Sequence, residues 1–189
     1  MNAVKIIGGV LCVLMMALTV WLVRNIYIIP AIENTVFFET SASIEQLFLN
    51  DATQDEKPTI RVVYFWQNHC PCDQLTKPHF LLMMDQYPQA MQQVDFYMAS
   101  VDDETLHHDL QGINVLSDQL MNVIKKDIKA TPAVGIWNEY GDLVYFGPHS
   151  LGYICNNDTS FIKKVLDALL NQQLVSASRI LGDGCFCGV

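Results

Sequence analysis

Basic residues are scarce in this chain: 11 lysines and arginines stand against 20 acidic residues, for a formal charge of -9. The first 24 residues hold Lys5 and Arg24 and no acid, so the remainder carries 9 basic and 20 acidic residues, or -11. A surface this acidic excludes a phosphate-facing nucleic-acid interface. It also disfavours anionic lipid, so any membrane contact must be hydrophobic. Internal repeats are absent, which excludes a solenoid or propeller. A small-x-small cleavage site is missing too: Ala17-Leu18-Thr19 is a poor match and the chain after it is still apolar. That argues against a cleaved leader and for an uncleaved signal anchor. Nor does the cysteine count suit a closed disulfide framework. Of six cysteines, Cys12 lies inside the first apolar block, and the other five form two Cys-x-Cys pairs and one single. An odd set fits reactive thiols better than a set of structural bridges.

What is present is a long apolar run, Ile6 to Val23, bounded by Lys5 and Arg24. Its length suits a membrane span, about 17 to 25 residues, and Ile26 to Ile29 extend it if the Arg24 head group snorkels. The expected organisation is an anchor over residues 1–29, a linker over 30–35, a domain over 36–175 and a tail over 176–189. Membrane contact is expected through residues 6–29. The cysteines favour an extracytoplasmic domain.

Ile60 to Trp66 is β-branched and aromatic without helical period, which predicts a buried strand. The turn Gln67-Asn68-His69-Cys70-Pro71-Cys72 follows, and Asp73 to Tyr87 reads as a helix containing Pro78. Thiols at a helix N-terminus sit in the positive end of its dipole, which stabilises the reactive thiolate. Downstream, Val94 to Val101 reads as a second core strand, and residues 111–129 contain a helix. Ala133 to Trp137 and Asp142 to Phe146 form a hairpin around Asn138-Glu139-Tyr140-Gly141. A last helix presents Phe161, Ile162, Val165, Leu166 and Leu169, with Asn157 or Asp158 as its cap. Val36-Phe37-Phe38 reads as a first strand, and Ile44, Leu47 and Phe48 suit a short helix. Trp66, Trp137, Met83 and Met84 read as core, Asp95 as a solvated edge position, and His107-His108 as an exposed feature.

This order resembles the thioredoxin fold, from about Val36 to Gln173. Three matches carry the resemblance: Phe65-Trp66 ahead of Cys70, Pro78 eight residues after that cysteine, and Thr131-Pro132 before an apolar strand and hairpin. Membrane-tethered bacterial thioredoxin-like proteins are the most similar in style. The resemblance implies a three-layer α/β/α sandwich with a mixed central sheet, here preceded by one transmembrane helix. It implies thiol-disulfide exchange on protein thiols without a cofactor, in the periplasm of a bacterium, from its inner membrane. Cys70 matches the family nucleophile, and Thr131-Pro132 matches the cis-proline loop that positions substrate. The family's Cys-x-x-Cys is replaced by Cys70-Pro71-Cys72-Asp73: Asp73 occupies the resolving position and Cys72 stands one residue nearer. The acid usual before Phe-Trp is replaced by Tyr64.

Within this frame Cys70 attacks and Cys72 resolves, with His69, Pro71 and Asp73 as modulators. A Cys70–Cys72 bridge would be small and strained, because i and i+2 on a helix point to different sides. Cys185 and Cys187, in a glycine-flanked tail, either relay to the active turn or bridge Cys155 as a staple. Two other functions stay open. One is a copper or zinc carrier using Cys70, Cys72 and His69, with His79 and His149 as further donors. The other is a binding module without catalysis.

Overall fold

The computed structural model describes residues 2–22, 42–45, 47–48, 59–87, 93–102, 113–149, 160–175, 178–179 and 185–189. The chain divides into two units, Met1–Ala31 and Ile32–Val189. The first contains helix α1 (Asn2–Leu22), in which Ile7, Val10, Leu11, Leu14, Leu18 and Trp21 are all exposed. Among the described residues, no helix is long and apolar enough to cross a membrane.

The second unit is built on a sheet whose strands are β1 (Ile60–Trp66), β2 (Val94–Ser100), β3 (Asn114–Val115), β5 (Ala133–Trp137), β6 (Leu143–Gly147) and β7 (Ser178–Arg179). Their order is β3-β2-β1-β5-β6-β7. β2 runs parallel to β1 and β3, whereas β5 runs antiparallel to β1 and β6. Central strands covered on both faces read as continuous apolar runs, and β1 is one. Its alternation sorts side chains to two cores: Val63 and Phe65 join Ile44, Phe48, Ile124 and Trp137, while Ile60, Val62 and Tyr64 join Phe80, Met83, Ile162 and Leu166. Helices α2 (Ala42–Glu45) and α4 (Asp118–Ile124) supply residues to the first core. Helices α3 (Pro71–Asp85) and α5 (Phe161–Leu170) supply the second. This mixed sheet between helical layers is a thioredoxin-like fold.

Several boundaries differ from expectation for local reasons. α3 starts at Pro71, a residue suited to the first helical position because it has no N–H to leave unpaired. The segment 111–129 opens with the short strand β3, and α4 is capped by Ser117, whose hydroxyl accepts from the Leu120 N–H. A 3-10 turn (Lys125–Asp127) follows. α5 is capped by Ser160, whose hydroxyl accepts from the Lys163 N–H, and not by the acid or amide further upstream. Asp95 pairs with β1 at Arg61 on one side only, because β3 joins β2 further along, at Tyr97 and Met98; it is half-buried and accepts a hydrogen bond of 2.8 Å from Thr59. Trp66 is only half-buried, with the Lys77 ammonium 5.0 Å from its ring centre. Val36 to Phe38, His107, His108, Asn157 and Asp158 lie outside the described residues.

Trp137 shows how tightly the first core is filled. Its indole N–H donates to the Ile44 carbonyl at 3.0 Å and its rings meet Phe48 edge-on at 5.1 Å. The indole covers Gly135, where a Cβ would come within 2.5 Å of the Trp137 ring and 3.2 Å of Phe146. A pinned, buried indole has nowhere to move. Gly135→Ala is therefore expected to destabilise the fold by about 1–3 kcal/mol, the usual cost of overpacking. Urea unfolding of the purified variant checks this, and an unchanged midpoint would refute it.

Candidate thiol site

The site forms where β1 ends and α3 begins. Cys70 is the N-cap residue of α3, in an extended conformation (φ -87°, ψ 111°). The Asp73 N–H donates to the Cys70 carbonyl at 3.1 Å, closing the first turn. Both Cys70 and Cys72 are fully buried. A second segment, β4 (Ala130–Thr131), passes beside them, and the Thr131–Pro132 peptide is cis, as expected of the family loop. Cys70 Sγ lies 3.6 Å from the Thr131 carbonyl oxygen. The Thr131 hydroxyl donates to Gln67 Oε1 at 3.0 Å, tying this loop to the cysteine turn.

Neither active-turn cysteine is bonded to the other. Cys70 is joined to Cys187 and Cys72 to Cys185, with Cα separations of 5.8 and 5.4 Å. Both fall in the range a bridge needs, about 4.4 to 6.8 Å. The tail forms strand β8 (Cys187–Gly188), which pairs antiparallel with β4: Thr131 faces Cys187 and Ala130 faces Gly188. The Val189 N–H adds a bond to the Lys129 carbonyl at 3.2 Å. Phe186 is buried with Phe65, Ala130 and Ala133 in the first core. A two-residue strand leaves no periodicity to read, and the pairing of cysteines more than 110 residues apart is not a local property. The glycines around the tail pair were the available signal. Cys155, the other candidate partner, lies outside the described residues.

Asp73 is the charged group of the site. It is buried, and its carboxylate accepts from the Tyr64 hydroxyl and from the Gln67 N–H, each at 3.0 Å. Burial outweighs these two bonds and raises its pKa from 3.8 to about 6. His69 is exposed on the turn. The cation donors expected there regroup: among the described residues, the cluster close enough to share an ion is Cys70, Cys72 and Cys187, with sulfurs within 4.8 Å of one another. His69 is not in it, and neither is His79 or His149. Burial and the neighbouring His79 lower the pKa of His149 to about 4, so it is neutral at physiological pH.

Residues 39–189 match the family described as a domain of unknown function (DUF6436). The chain belongs to that family. The match runs through both Cys-x-Cys pairs, to the last residue. No curated protein matches the chain. Among solved structures, it is similar to a hypothetical protein of Sinorhizobium meliloti 1021 (19% identity, TM-score 0.55, covering 70% of this chain and 79% of that one). It is also similar to an uncharacterized conserved protein of Geobacillus kaustophilus (20% identity, TM-score 0.52, 70% and 77%). StoA of Bacillus subtilis aligns over 50% of this chain and 78% of its own, at 21% identity and a TM-score of 0.38. These likenesses concern the fold.

The Asp73 environment makes a signed prediction. Between pH 3.8 and about 6 the folded chain holds a proton that the unfolded chain has released. Stability therefore falls as pH rises through that window, by roughly 3 kcal/mol in all. Asp73→Asn removes the charge, and is expected to be more stable than the parent above about pH 6, with the gain disappearing near pH 4. Denaturant unfolding of the oxidised protein at several pH values checks it; a gain of equal size at all pH values would exclude the titration as its cause.

Proposed function

We propose that this protein is a thiol-disulfide oxidoreductase of protein substrates, held at a membrane by residues 6–29 with its thioredoxin-like domain on the periplasmic side of a bacterial inner membrane. One observation carries the redox reading: Cys187 is bonded to Cys70 while its backbone pairs with Thr131, beside a cis proline. The tail is held as an extended peptide substrate would be held by strand addition. Anchoring is supported by the apolar run Ile6 to Val23 and by large apolar side chains left exposed around α1, since exposed apolar surface of that extent marks a membrane or partner contact.

The relay follows from exposure. Cys70 and Cys72 are covered, whereas Cys185 and Cys187 are partly exposed. An incoming partner thiolate attacks the Cys187 sulfur; the Cys70–Cys187 bond breaks and the electron pair leaves on Cys70. The α3 N-terminus stabilises that thiolate, and a low-pKa thiol is the better leaving group. A second partner thiolate then attacks the partner–Cys187 bond, forming the partner's disulfide and freeing the Cys187 thiolate, which takes a proton. The partner has lost two electrons and the protein has gained them. Cys72–Cys185 repeats the cycle, so the oxidised chain accepts four electrons. Asp73, behind the turn and with a pKa near 6, is placed to exchange protons there.

The test uses the full-length protein in detergent. Oxidised wild type is expected to oxidise a dithiol peptide and to gain four alkylatable thiols over those free at the start. Cys70→Ser with Cys187→Ser should halve the capacity, and the quadruple serine variant should abolish it, as read by intact mass. A wild-type protein whose bridges are not reduced by dithiols under conditions that leave it folded would defeat the reading.

The copper or zinc carrier has one supporting observation, the three clustered sulfurs. Fully reduced protein would then bind one soft ion per chain, and the disulfide form would bind none. Elemental analysis after gel filtration, with and without a phosphine reductant, checks this.

A further inference from the structure

The tail is held by three separate features, and together they describe a ligand. Residues two apart in extended chain project from the same face. Cys185 and Cys187 thus present both thiols to the turn, where they meet Cys72 and Cys70. Phe186 leaves from the opposite face and is only 5% exposed, seated in the apolar cluster with Phe65, Ala130, Ala133 and Phe146. The backbone supplies the third feature, pairing with β4 at Ala130 and Thr131 and bonding Lys129 from Val189. Thiol pair, apolar slot and open strand edge lie side by side. A structural staple needs the bridges alone. The slot and the edge select a sequence.

We propose, building on the redox reading above, that the site recognises an extended Cys-apolar-Cys segment, of which residues 185–187 are the resident copy, and that such a segment exchanges with the tail strand for strand. The incoming segment comes from another protein or from the tail of a second copy of this chain. The chemistry balances without an added oxidant. An incoming thiolate attacks Cys187 and releases the Cys70 thiolate. Cys70 then attacks the incoming sulfur, and the Cys187 thiolate departs. One thiol enters, one leaves, and the number of disulfides is unchanged. The same two steps at Cys72 and Cys185 complete the replacement. Phe186 leaves its slot, and the incoming apolar residue fills it.

The probe is the synthetic peptide Gly-Asp-Gly-Cys-Phe-Cys-Gly-Val in its reduced form, added in excess to oxidised full-length protein in detergent. The reaction is quenched by alkylation and read by intact mass and peptide mapping. The expected product has the summed mass of protein and peptide plus two alkyl groups beyond those carried by oxidised protein alkylated without peptide, with Cys185 and Cys187 newly alkylated and the peptide joined to Cys70 and Cys72. The same peptide with alanine for phenylalanine should be captured about ten-fold less or worse, since burying an aromatic side chain is worth that much. Phe186→Ala in the protein should lower, by about ten-fold, the peptide concentration needed.

Equal capture of the alanine and phenylalanine peptides would overturn the slot. Reduction of the protein with no peptide retained would overturn strand replacement, yet leave the oxidoreductase intact. Bridges inert to every thiol would sink both. For the source, a reduced Cys70→Ser, Cys72→Ser chain serves as tail donor to oxidised wild type. A disulfide-linked pair supports the site and assigns a second copy as occupant, whereas peptide capture without that pair supports the site and assigns another protein.

Discussion

The domain depends on one junction, where the end of β1, the start of α3, the cis-proline loop and the end of the chain are tied together. Two disulfides close loops of 117 and 113 residues, one nested inside the other. In the chain-entropy view the first bridge to form is worth about 5 kcal/mol. Once it has formed, the second closes only the few residues between the two bridges and adds much less. The second bridge therefore contributes little as a staple. Its consequence is chemical: it doubles the electron capacity and fixes the tail's rotation, so that both tail thiols face the turn while Phe186 faces the core.

The charge of the site has been rearranged around that junction. In the thioredoxin pattern that this sequence resembles, an acid precedes Phe-Trp on the strand and a cysteine stands at the fourth position of the turn. Here the strand position is Tyr64 and the fourth position is Asp73, and the tyrosine hydroxyl donates to the carboxylate at 3.0 Å. The acid has in effect crossed from strand to helix and remains in the same buried space. Gln67 links it to the rest: its N–H binds Asp73 and its side chain accepts from Thr131. Asp73, the cysteine turn and the cis-proline loop thus share one hydrogen-bonded path.

How much of this could be read beforehand follows from range. β1, β5 and β6 were legible because strands buried on both faces are apolar runs bounded by turns, and the Asn138 to Gly141 turn marked the hairpin. The thiol turn and Thr131-Pro132 were legible because their spacing is local. β3 lies inside a stretch with helical apolar spacing, and Ser160 caps α5 from a position closer to the helix than the cap-type residues Asn157 and Asp158. The bond partners of Cys70 and Cys72 were not legible. Proximity across more than 110 residues is a property of the folded sheet, and the tail, with glycines on both sides, has no pattern of its own. His69 adjoins Cys70 in sequence, yet the turn exposes it, and Cys187 from the other end of the domain supplies the nearby sulfur.

The one-residue displacement of the second thiol can now be given a physical reading. Each residue turns a helix by about 100° and raises it by about 1.5 Å. Position 73 faces the strand that carries Tyr64. A cysteine moved from there to position 72 is rotated by about one such step, away from the strand and towards the tail. Cys70 is the extended N-cap residue ahead of the first helical turn, so it and Cys72 escape the opposed directions that i and i+2 take within a helix, and their Cα atoms stand about 5.4 Å apart. Two residues of extended chain span about 6.6 Å. The two spacings match closely enough for Cys70 and Cys72 to meet Cys187 and Cys185 side by side, with Cα separations of 5.8 and 5.4 Å. A Cys-x-x-Cys turn closes its own disulfide and presents one sulfur at a time. Cys-Pro-Cys, set against an extended strand, presents two, and its spacing favours a partner that carries its thiols at i and i+2. The displacement thus trades self-closure for a two-point grip on an extended chain.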